Sequence, residues 1–492
     1  MAWLVKNFAP EAKGHGVPEV MDAIYYKEGM IRPRVAIVKS IASAISIGSG
    51  GAVGREGPII QIGSAFGSML GQLVNMSARQ RITLIAAGSG AGIAATFNAP
   101  LGGVLFAIEL LLISVNAVNV MLVAIATVTA SHIGRLLLGI DPSFNIPALA
   151  LPNFQIHLSI ELLLFIVLGV LMGLISVVFR RLLYWTEDLF EVLPGNYYTR
   201  HALGMSCVGI MMYLLLHFPG HYYVQGVGYA TIMEILTGVL TQPWLLVLLF
   251  VLKLMATCLS LGSGASGGVF SPALFMGATA GSAFGHLALW IFPGLELSIP
   301  AFAIGGMAAA IGGSTGAVLT AIVMLTEMTA DYNVVTPLII VVVSATAVRK
   351  LLMRESIYTM KLLRRGNVVP EGLQAAITSA KRVSDLMRTN VNVVDSGDPA
   401  AQNDDVWIIT TEETISIPKK ISQTANGDRQ IKNYILAKKE TSFVEAMRIM
   451  KASDAEVILV SEFLGDNQGS HIIGVLDEQT IANHAEELVA LL

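Results

Sequence analysis

The chain has 492 residues, of which 54% are hydrophobic and only 13% are charged, and its mean hydropathy is +0.66. Soluble globular proteins carry roughly twice that charged fraction, so the composition excludes an ordinary soluble protein and indicates one that crosses a membrane several times. Two cysteines cannot build a disulfide framework or a four-ligand zinc site, and a net charge of −4 without a basic stripe argues against nucleic acid as a partner.

The first predicted helix begins near Pro18, in the segment Gly14-His15-Gly16-Val17-Pro18-Glu19. A second begins near Pro58, after the glycine-rich segment that starts at Gly48. Proline suits the first turn of a helix, because the N–H that it lacks has no partner there. Both segments are therefore predicted to be breaks of irregular backbone that end in a helix start.

Apolar runs that are long enough to cross a bilayer follow these two breaks. A span needs about 20 residues, and five charge-free runs meet that length: Ile82–Ile108, Leu110–Gly134, His201–Met233, Leu254–Leu295 and Leu297–Thr326. Shorter runs predict further spans at Leu162–Phe179 and Tyr332–Val348. The run Leu254–Leu295 is too long for one helix, and the glycines that precede Pro272 predict a third break. Irregular backbone at membrane depth is tolerated only where it is buried in protein or lines a cavity, so this break marks a candidate site.

A basic cluster follows the last predicted span and consists of Arg349, Lys350, Arg354, Lys361, Arg364 and Arg365. By the positive-inside rule this cluster predicts a cytoplasmic C-terminal tail. Charged residues make up about 26% of residues 381–492, against about 10% of the residues before them. We therefore expect a membrane domain followed by a soluble one.

An internal repeat relates the second and third breaks. A shift of 214 residues places Gly48–Gly71 over Gly262–Gly285 with nine of 24 positions identical and no gap, including Pro58 over Pro272. Related halves are typical of transporters whose site lies near the midplane, where interrupted helices meet. Glycine-rich packing motifs can look alike for other reasons, but the proline in register favours a true repeat.

Each helix start in a break offers unpaired N–H groups and about half a positive charge, which together bind anions. An anion that is held only by amide dipoles can leave quickly, as conduction requires. The breaks offer mainly glycine backbone and few polar side chains. This favours a small inorganic anion, and an ion-coupled carrier of an organic anion stays a remote alternative.

The three breaks resemble motifs of the CLC family of chloride channels and proton–chloride exchangers. Gly54–Pro58 matches the family's GREGP motif, Gly268–Pro272 its GxFxP motif and Gly14–Glu19 its GSGIPE motif. The resemblance implies an all-α polytopic protein of the cell membrane, with two inverted repeats at about residues 14–200 and 201–365 and broken helices that meet at the midplane. It also implies a homodimer with one chloride pore in each subunit.

The resemblance implies roles for individual residues. Glu56 would gate the pore and exchange a proton, the amides of residues 55–57 would hold an outer anion, and the amides of Val269 and Phe270 with the Tyr358 hydroxyl would hold a central one. The implied anion-binding residues are His15, Arg55, Glu56, Gly57, Val269, Phe270 and Tyr358. Simpler alternatives stay open: Glu56 as a stabiliser of a helix start, Tyr358 as an interfacial anchor, and His15 as a capping or packing residue.

Three departures from the family pattern affect the expected function. His15 replaces the usual serine, and Leu110 stands where proton-exchanging members often carry a second glutamate, just beyond Glu109. Only thirteen residues precede Gly14, so we expect the family's first membrane segments to be missing. Because a leucine cannot relay a proton, the sequence favours a voltage-gated chloride channel, with a proton-coupled chloride antiporter as the alternative. Glu109 and Glu327, which end apolar segments, are interpreted as helix-end or interface residues.

The tail resembles a partial or degenerate CBS module. After a linker at residues 366–381, a domain at 382–492 opens with Val383–Met387 and continues with a helix, two short strands and another helix over Phe443–Asn483. Between them, Asp398–Lys439 is predicted to be polar and irregular. The resemblance allows an adenine nucleotide at the tail, although no nucleotide motif stands out. No other cofactor, no metal and no enzymatic activity are expected.

Overall fold

The computed structural model divides the chain into two compact units, Met1–Leu373 and Gln374–Leu492. The residues that it describes are 1–113, 115–139, 144, 160–295, 297–367, 369, 382–389, 392–395, 406–409, 421–425, 428–432, 434–441, 443–453, 455–461 and 472–477.

Apart from isolated bridges between single residues, the regular secondary structure described in the first unit is helical. Its helices are α1 (Ala2–Phe8), α2 (Val17–Tyr26), α3 (Arg34–Gly48), α4 (Glu56–Leu73), α5 (Ala78–Phe97), α6 (Pro100–Leu110), α7 (Ala117–Leu138), α8 (Ile160–Val192), α9 (Tyr197–His217), α10 (Tyr229–Leu236), α11 (Pro243–Gly262), α12 (Phe270–Ile291), α13 (Ile299–Thr315), α14 (Val318–Thr329), α15 (Val335–Leu352) and α16 (Thr359–Leu363). Short 3-10 helices lie at Pro10–Ala12 and Tyr332–Val334.

Six of the described helices are long and apolar enough to cross a membrane. They are α7, α8, α9, α11, α12 and the helix at Tyr332–Leu352 that contains α15. The helices α6, α13 and α14 are apolar but shorter. An integral membrane protein that is mostly helical is therefore confirmed.

Three of the predicted apolar runs each form two helices instead of one span. The run Ile82–Ile108 divides into α5 and α6, His201–Met233 into α9 and α10, and Leu297–Thr326 into α13 and α14. Two of the first helices in these pairs end at a residue with left-handed backbone. Asn98, with φ of 55°, ends α5, and Gly316, with φ of 81°, ends α13. A left-handed residue stops the helical hydrogen bonds whatever the polarity of the run.

Glycines bring two pairs of helices to backbone contact. A Cβ atom on Gly63 of α4 would collide with the carbonyl oxygen of Gly88 in α5, and one on Gly277 of α12 would collide with that of Gly306 in α13. Such contact is typical of membrane helices that pack through small residues. The helices α4 and α5 therefore pack through glycine backbone, and so do α12 and α13.

The short helices α6 and α14 cap each other. Glu109, near the end of α6, accepts a hydrogen bond from the N–H of Thr320 at the start of α14 at 2.8 Å. Glu327, near the end of α14, accepts one from the N–H of Gly102 at the start of α6, also at 2.8 Å. The two helices are thus antiparallel, and each carboxylate lies at a positive helix end. Both glutamates are helix-end residues, as the sequence indicates.

The described residues of the second unit form two helices and two sheets. The helices are α17 (Val383–Leu386) and α18 (Phe443–Ala452), and the strands are β1 (Asn392–Asp395), β2 (Val406–Ile409), β3 (Ile421–Ala425), β4 (Asp428–Lys432), β5 (Tyr434–Lys438), β6 (Val457–Ser461) and β7 (Ile472–Asp477). One sheet has the order β1-β2-β3-β4 and the other β5-β6-β7, with β1 parallel to β2 and β5 parallel to β6.

The prediction that Asp398–Lys439 is irregular is wrong, because this stretch contains β2, β3, β4 and β5. The strands β3 and β4 mix polar with apolar residues, and pairing of neighbouring backbones forms them without a continuous apolar signal. The predicted last helix, up to Asn483, and most of the linker at residues 366–381 lie outside the described residues.

Candidate anion-binding site

The three predicted breaks lie against one another and are joined by backbone hydrogen bonds. Gly54 donates to the carbonyl of Gly268 at 2.8 Å, and Gly268 donates back to the carbonyl of Gly54 at 2.6 Å. Gly14 donates to the carbonyl of Ala265 at 3.1 Å, and Gly267 donates to that of Gly14 at 3.3 Å. The paired breaks therefore bring together the starts of the helices that follow them.

The helices α2, α4 and α12 begin directly after these breaks. Pro18 is the second residue of α2, and Pro58 and Pro272 are the third residues of α4 and α12, as the proline rule predicts. First-turn N–H groups have no partner within their own helix. Three converging helix starts can therefore supply N–H donors and positive dipole ends to one anion pathway.

Gly57 lies at a close approach of the first and second breaks. A Cβ atom at this position would collide with the carbonyl oxygen of His15 and would lie 3.0 Å from the Cα of Gly268. Only glycine allows the three breaks to approach so closely, so Gly57 contributes backbone and space.

Glu56 is the first residue of α4, and its side chain is fully buried. Its carboxylate accepts hydrogen bonds from the Tyr229 hydroxyl at 2.6 Å, from the Ser271 hydroxyl at 2.5 Å and from the Ser271 N–H at 3.2 Å. These donors belong to α10 and α12. The carboxylate thus lies at the positive start of α12, which is where an anion is expected to bind.

Arg55 precedes α4, and its side chain is exposed. One guanidinium nitrogen, Nη2, lies 3.3 Å from the carbonyl oxygen of Thr96, and the guanidinium carbon lies 5.3 Å from the ring centroid of Tyr229. The side chain is therefore directed to the edge of the site, so that Arg55 can serve an anion through its backbone amide.

Val269 and Phe270 form the start of α12, and both side chains are buried. The Phe270 ring packs on the ring of Phe97, with centroids 5.5 Å apart. Apolar packing of Phe270 thus holds the start of α12 in place. The backbone amides of Val269 and Phe270 lie directly after the paired breaks.

Tyr358 lies just before α16 and is buried, which does not suit the alternative of an interfacial anchor. Its ring centroid is 5.8 Å from that of His15. His15 is also buried, and neither of its ring nitrogens has a hydrogen-bond partner among the residues that the structure describes. The structure thus brings His15 and Tyr358 together on one side of the paired breaks.

Two buried lysines stabilise the loops that precede helix starts, and sequence reasoning missed them. The Lys39 ammonium of α3 donates to two carbonyls, including that of Gly14 at 2.7 Å. The Lys253 ammonium of α11 donates to two carbonyls before α10, including that of Gly226 at 2.7 Å. The signal was present, since the two lysines are separated by 214 residues, the same shift that relates the second and third breaks.

Sequence reasoning also missed the hydroxyls that contact Glu56. Ser271 lies inside the quoted motif but was not assigned a role. Tyr229 follows Gly226-Val227-Gly228, which has the same Gly-x-Gly spacing as Gly14 to Gly16. A search for that spacing in the second half would have found the start of α10. Among the described residues there is no group of three or more His, Cys, Asp or Glu side chains that could hold a metal ion.

A family model described as voltage gated chloride channel matches residues 1–350. The chain belongs to the CLC family. The resemblance that the three motifs carry is confirmed, and the converging helix starts lie in the region that the family model covers.

Relatives and solved structures agree with this assignment. The H(+)/Cl(−) exchange transporter ClcA of Vibrio parahaemolyticus is 36% identical over 375 residues, which cover 74% of this chain and 76% of the relative. The crystal structure of a slow cyanobacterial Cl−/H+ antiporter is similar with a TM-score of 0.65 at 30% identity, covering 74% of this chain and 84% of that one. A eukaryotic CLC transporter, at 20% identity and a TM-score of 0.63, shares the fold over 97% of this chain and 87% of its own.

We expect His15→Ser to change the ratio of chloride to nitrate flux by roughly 2- to 10-fold, which is the scale of one hydrogen bond. The imidazole is buried beside Tyr358, and a ring N–H without a described partner would be available to an anion, whereas serine would offer a smaller hydroxyl donor. Anion efflux from liposomes measures the ratio. His286→Ser is the control, because His286 contacts the carbonyl of Ser282 within α12. A ratio equal to that of the wild type would place His15 outside the pathway.

Proposed function

We propose that this chain exchanges chloride for protons across a membrane, with one pathway in each subunit of a homodimer. The sequence favoured an uncoupled voltage-gated channel and held the proton-coupled antiporter as the alternative. The comparisons favour the alternative, because ClcA and the cyanobacterial protein are both named as exchangers.

The position of the Glu56 carboxylate carries the proposal. A protonatable anion that occupies the positive start of α12 competes with chloride for the same dipole and donors. Protonation removes its charge and frees those donors for chloride. One group thereby links the binding of a proton to the movement of an anion, which is the requirement for exchange.

The pathway of the anion follows the three helix starts. The amides of residues 55–57 are proposed to hold an outer chloride, and the amides of Val269 and Phe270 with the Tyr358 hydroxyl a central one. His15 is proposed to line the pathway next to Tyr358. The breaks offer mainly glycine backbone and few polar side chains, which suits a small inorganic anion better than an organic one.

The two halves of the first unit are proposed to be inverted repeats, at about residues 14–200 and 201–365. The matching contacts of α4 with α5 and of α12 with α13 support this, as do the two lysines and the antiparallel pair α6 and α14. The transport domain would comprise residues 1–365.

A cytoplasmic tail is proposed to follow the transport domain. The basic cluster before it supports this side of the membrane. Residues 366–381 would form a linker and 382–492 a CBS-like domain.

We expect a proton gradient to drive chloride uphill in liposomes that hold the purified protein at equal chloride on both sides. Coupling requires this result, because a proton gradient can drive chloride only when protons and chloride move in the same transport cycle. Chloride and proton movements recorded together measure it. Chloride that stays at equal concentration while a chloride gradient is readily dissipated would show a channel and overturn the proposal.

Glu109 is proposed to carry protons on the inner side, because it is the carboxylate next to the buried Leu110. Glu109→Gln is expected to lower the ratio of protons to chloride. Glu327→Gln is the matched control, since Glu327 caps a helix start in the same way in the other half. If Glu109→Gln and Glu327→Gln show the same ratio of protons to chloride, both glutamates have a structural role only.

A further inference from the structure

The Glu56 carboxylate is surrounded by hydrogen-bond donors from two other helices. The Tyr229 and Ser271 hydroxyls both donate to Oε1, at 2.6 and 2.5 Å, and the Ser271 N–H donates to Oε2 at 3.2 Å. The two hydroxyl oxygens are 3.1 Å apart. Each hydroxyl has one proton, so with both protons directed at Oε1 the hydroxyls serve the carboxylate rather than each other.

The three donors bind the ionised form of the Glu56 carboxyl group better than the neutral form. An ionised carboxylate accepts all of them, whereas a neutral carboxylic acid has one oxygen that carries a proton and accepts poorly. Hydrogen bonds to the charged form favour that form. This arrangement therefore stabilises ionised Glu56 in the position that blocks the start of α12.

The other charged or titratable groups near Glu56 come from different elements. Among the residues that the structure describes, they are Arg55 before α4, Lys253 on α11 and the phenol of Tyr358 before α16. None of them is altered by removing a hydroxyl from Tyr229 or Ser271. A change in pH dependence after such a removal can therefore be assigned to the lost hydrogen bond.

We propose that Tyr229 and Ser271 form a hydroxyl latch that holds ionised Glu56 at the start of α12 and so sets the pH at which the pathway opens. Both are positioning residues that act through Glu56. The inference rests on the proposed function, because it needs Glu56 to be the group whose protonation opens the pathway. It goes beyond that function by naming the groups that determine how readily Glu56 is released.

The two hydroxyls are well placed for this role. Tyr229 is the first residue of α10, and its ring packs edge-on against Phe144 with centroids 5.7 Å apart. Ser271 is fully buried at the second position of α12. Tyr229→Phe and Ser271→Ala each remove one donor and leave the packing of the remaining side chain in place.

The test is chloride efflux from liposomes that hold the full chain, measured between about pH 3 and pH 8, a range that begins below the ordinary pKa of a glutamate side chain, which is about 4.3. Tyr229→Phe and Ser271→Ala are each expected to raise the pH of half-maximal flux by about one unit, the scale of one hydrogen bond to a charged group. Flux at neutral pH should rise roughly 3- to 10-fold, and the double variant should shift further.

Thr279→Val is the matched control, because the Thr279 hydroxyl is buried on the same helix but donates to the carbonyl of Phe275 within that helix. It should keep the wild-type midpoint. Lower flux at every pH with an unchanged midpoint in Tyr229→Phe and Ser271→Ala would indicate a structural role and overturn the latch.

A parallel measurement on Glu56→Gln separates the latch from the proposed function. If Glu56→Gln loses the pH dependence of flux while the hydroxyl variants keep the wild-type pH of half-maximal flux, Glu56 is the gate and the latch is wrong. If Glu56→Gln keeps the wild-type pH dependence, the gate fails first and the latch fails with it.

Discussion

Glu56→Gln is expected to abolish the pH dependence of chloride flux and to lower coupled proton movement by about 100-fold or more, the scale on which a positioned proton-transfer group acts. Glutamine keeps the shape of the side chain but cannot ionise or exchange a proton. It also lacks the negative charge that competes with chloride at the start of α12. Chloride should therefore cross without proton coupling and at a rate that no longer varies with pH.

Simultaneous chloride and proton recordings from liposomes measure both effects of Glu56→Gln. Glu191→Gln is the control, because Glu191 is an exposed carboxylate near the end of α8. It should behave as the wild type does. Wild-type pH dependence in Glu56→Gln would contradict the assignment of the gate, and unchanged proton movement would contradict its part in exchange.

Gly57→Ala is expected to reduce chloride flux by more than about 10-fold and to lower the melting temperature by several degrees, since overpacking typically costs about 1–3 kcal/mol. The added Cβ would collide with the His15 carbonyl and lie 3.0 Å from the Cα of Gly268. Both neighbours are backbone, so no side-chain rotation relieves the collision. The paired breaks must therefore separate, and the three helix starts no longer converge.

Thermal unfolding in detergent and chloride flux in liposomes measure the effects of Gly57→Ala. Gly48→Ala is a matched control on α3, because a Cβ there would have no atom within 4 Å. It should leave flux and melting temperature unchanged. A Gly57→Ala protein with both properties of the wild type would show that the breaks do not need this close contact.

The sequence by itself determined the membrane character, the starts of α2, α4 and α12, and the choice of Glu56 as the proposed gate. Each of these depends on local chemistry. A glycine-rich segment before proline predicts a helix start in any context, and a run of apolar residues predicts burial in lipid. A carboxylate between Gly54 and Pro58 stands out because ionisable groups are rare at membrane depth. The proposed repeat also comes from the sequence alone, because it aligns residues within the sequence itself.

Only the tertiary structure decided what contacts the Glu56 carboxylate. Tyr229 and Ser271 lie far from it in sequence, and Lys39 and Lys253 donate to loops that precede other helices. Likewise, Glu109 contacts Thr320 across the fold, which explains why a carboxylate is stable there. A hydrogen bond depends on distance and direction between two groups, and the sequence specifies these only after the helices pack. The sequence therefore identifies the carboxylate of the proposed gate, whereas the groups that hold this carboxylate depend on the tertiary structure.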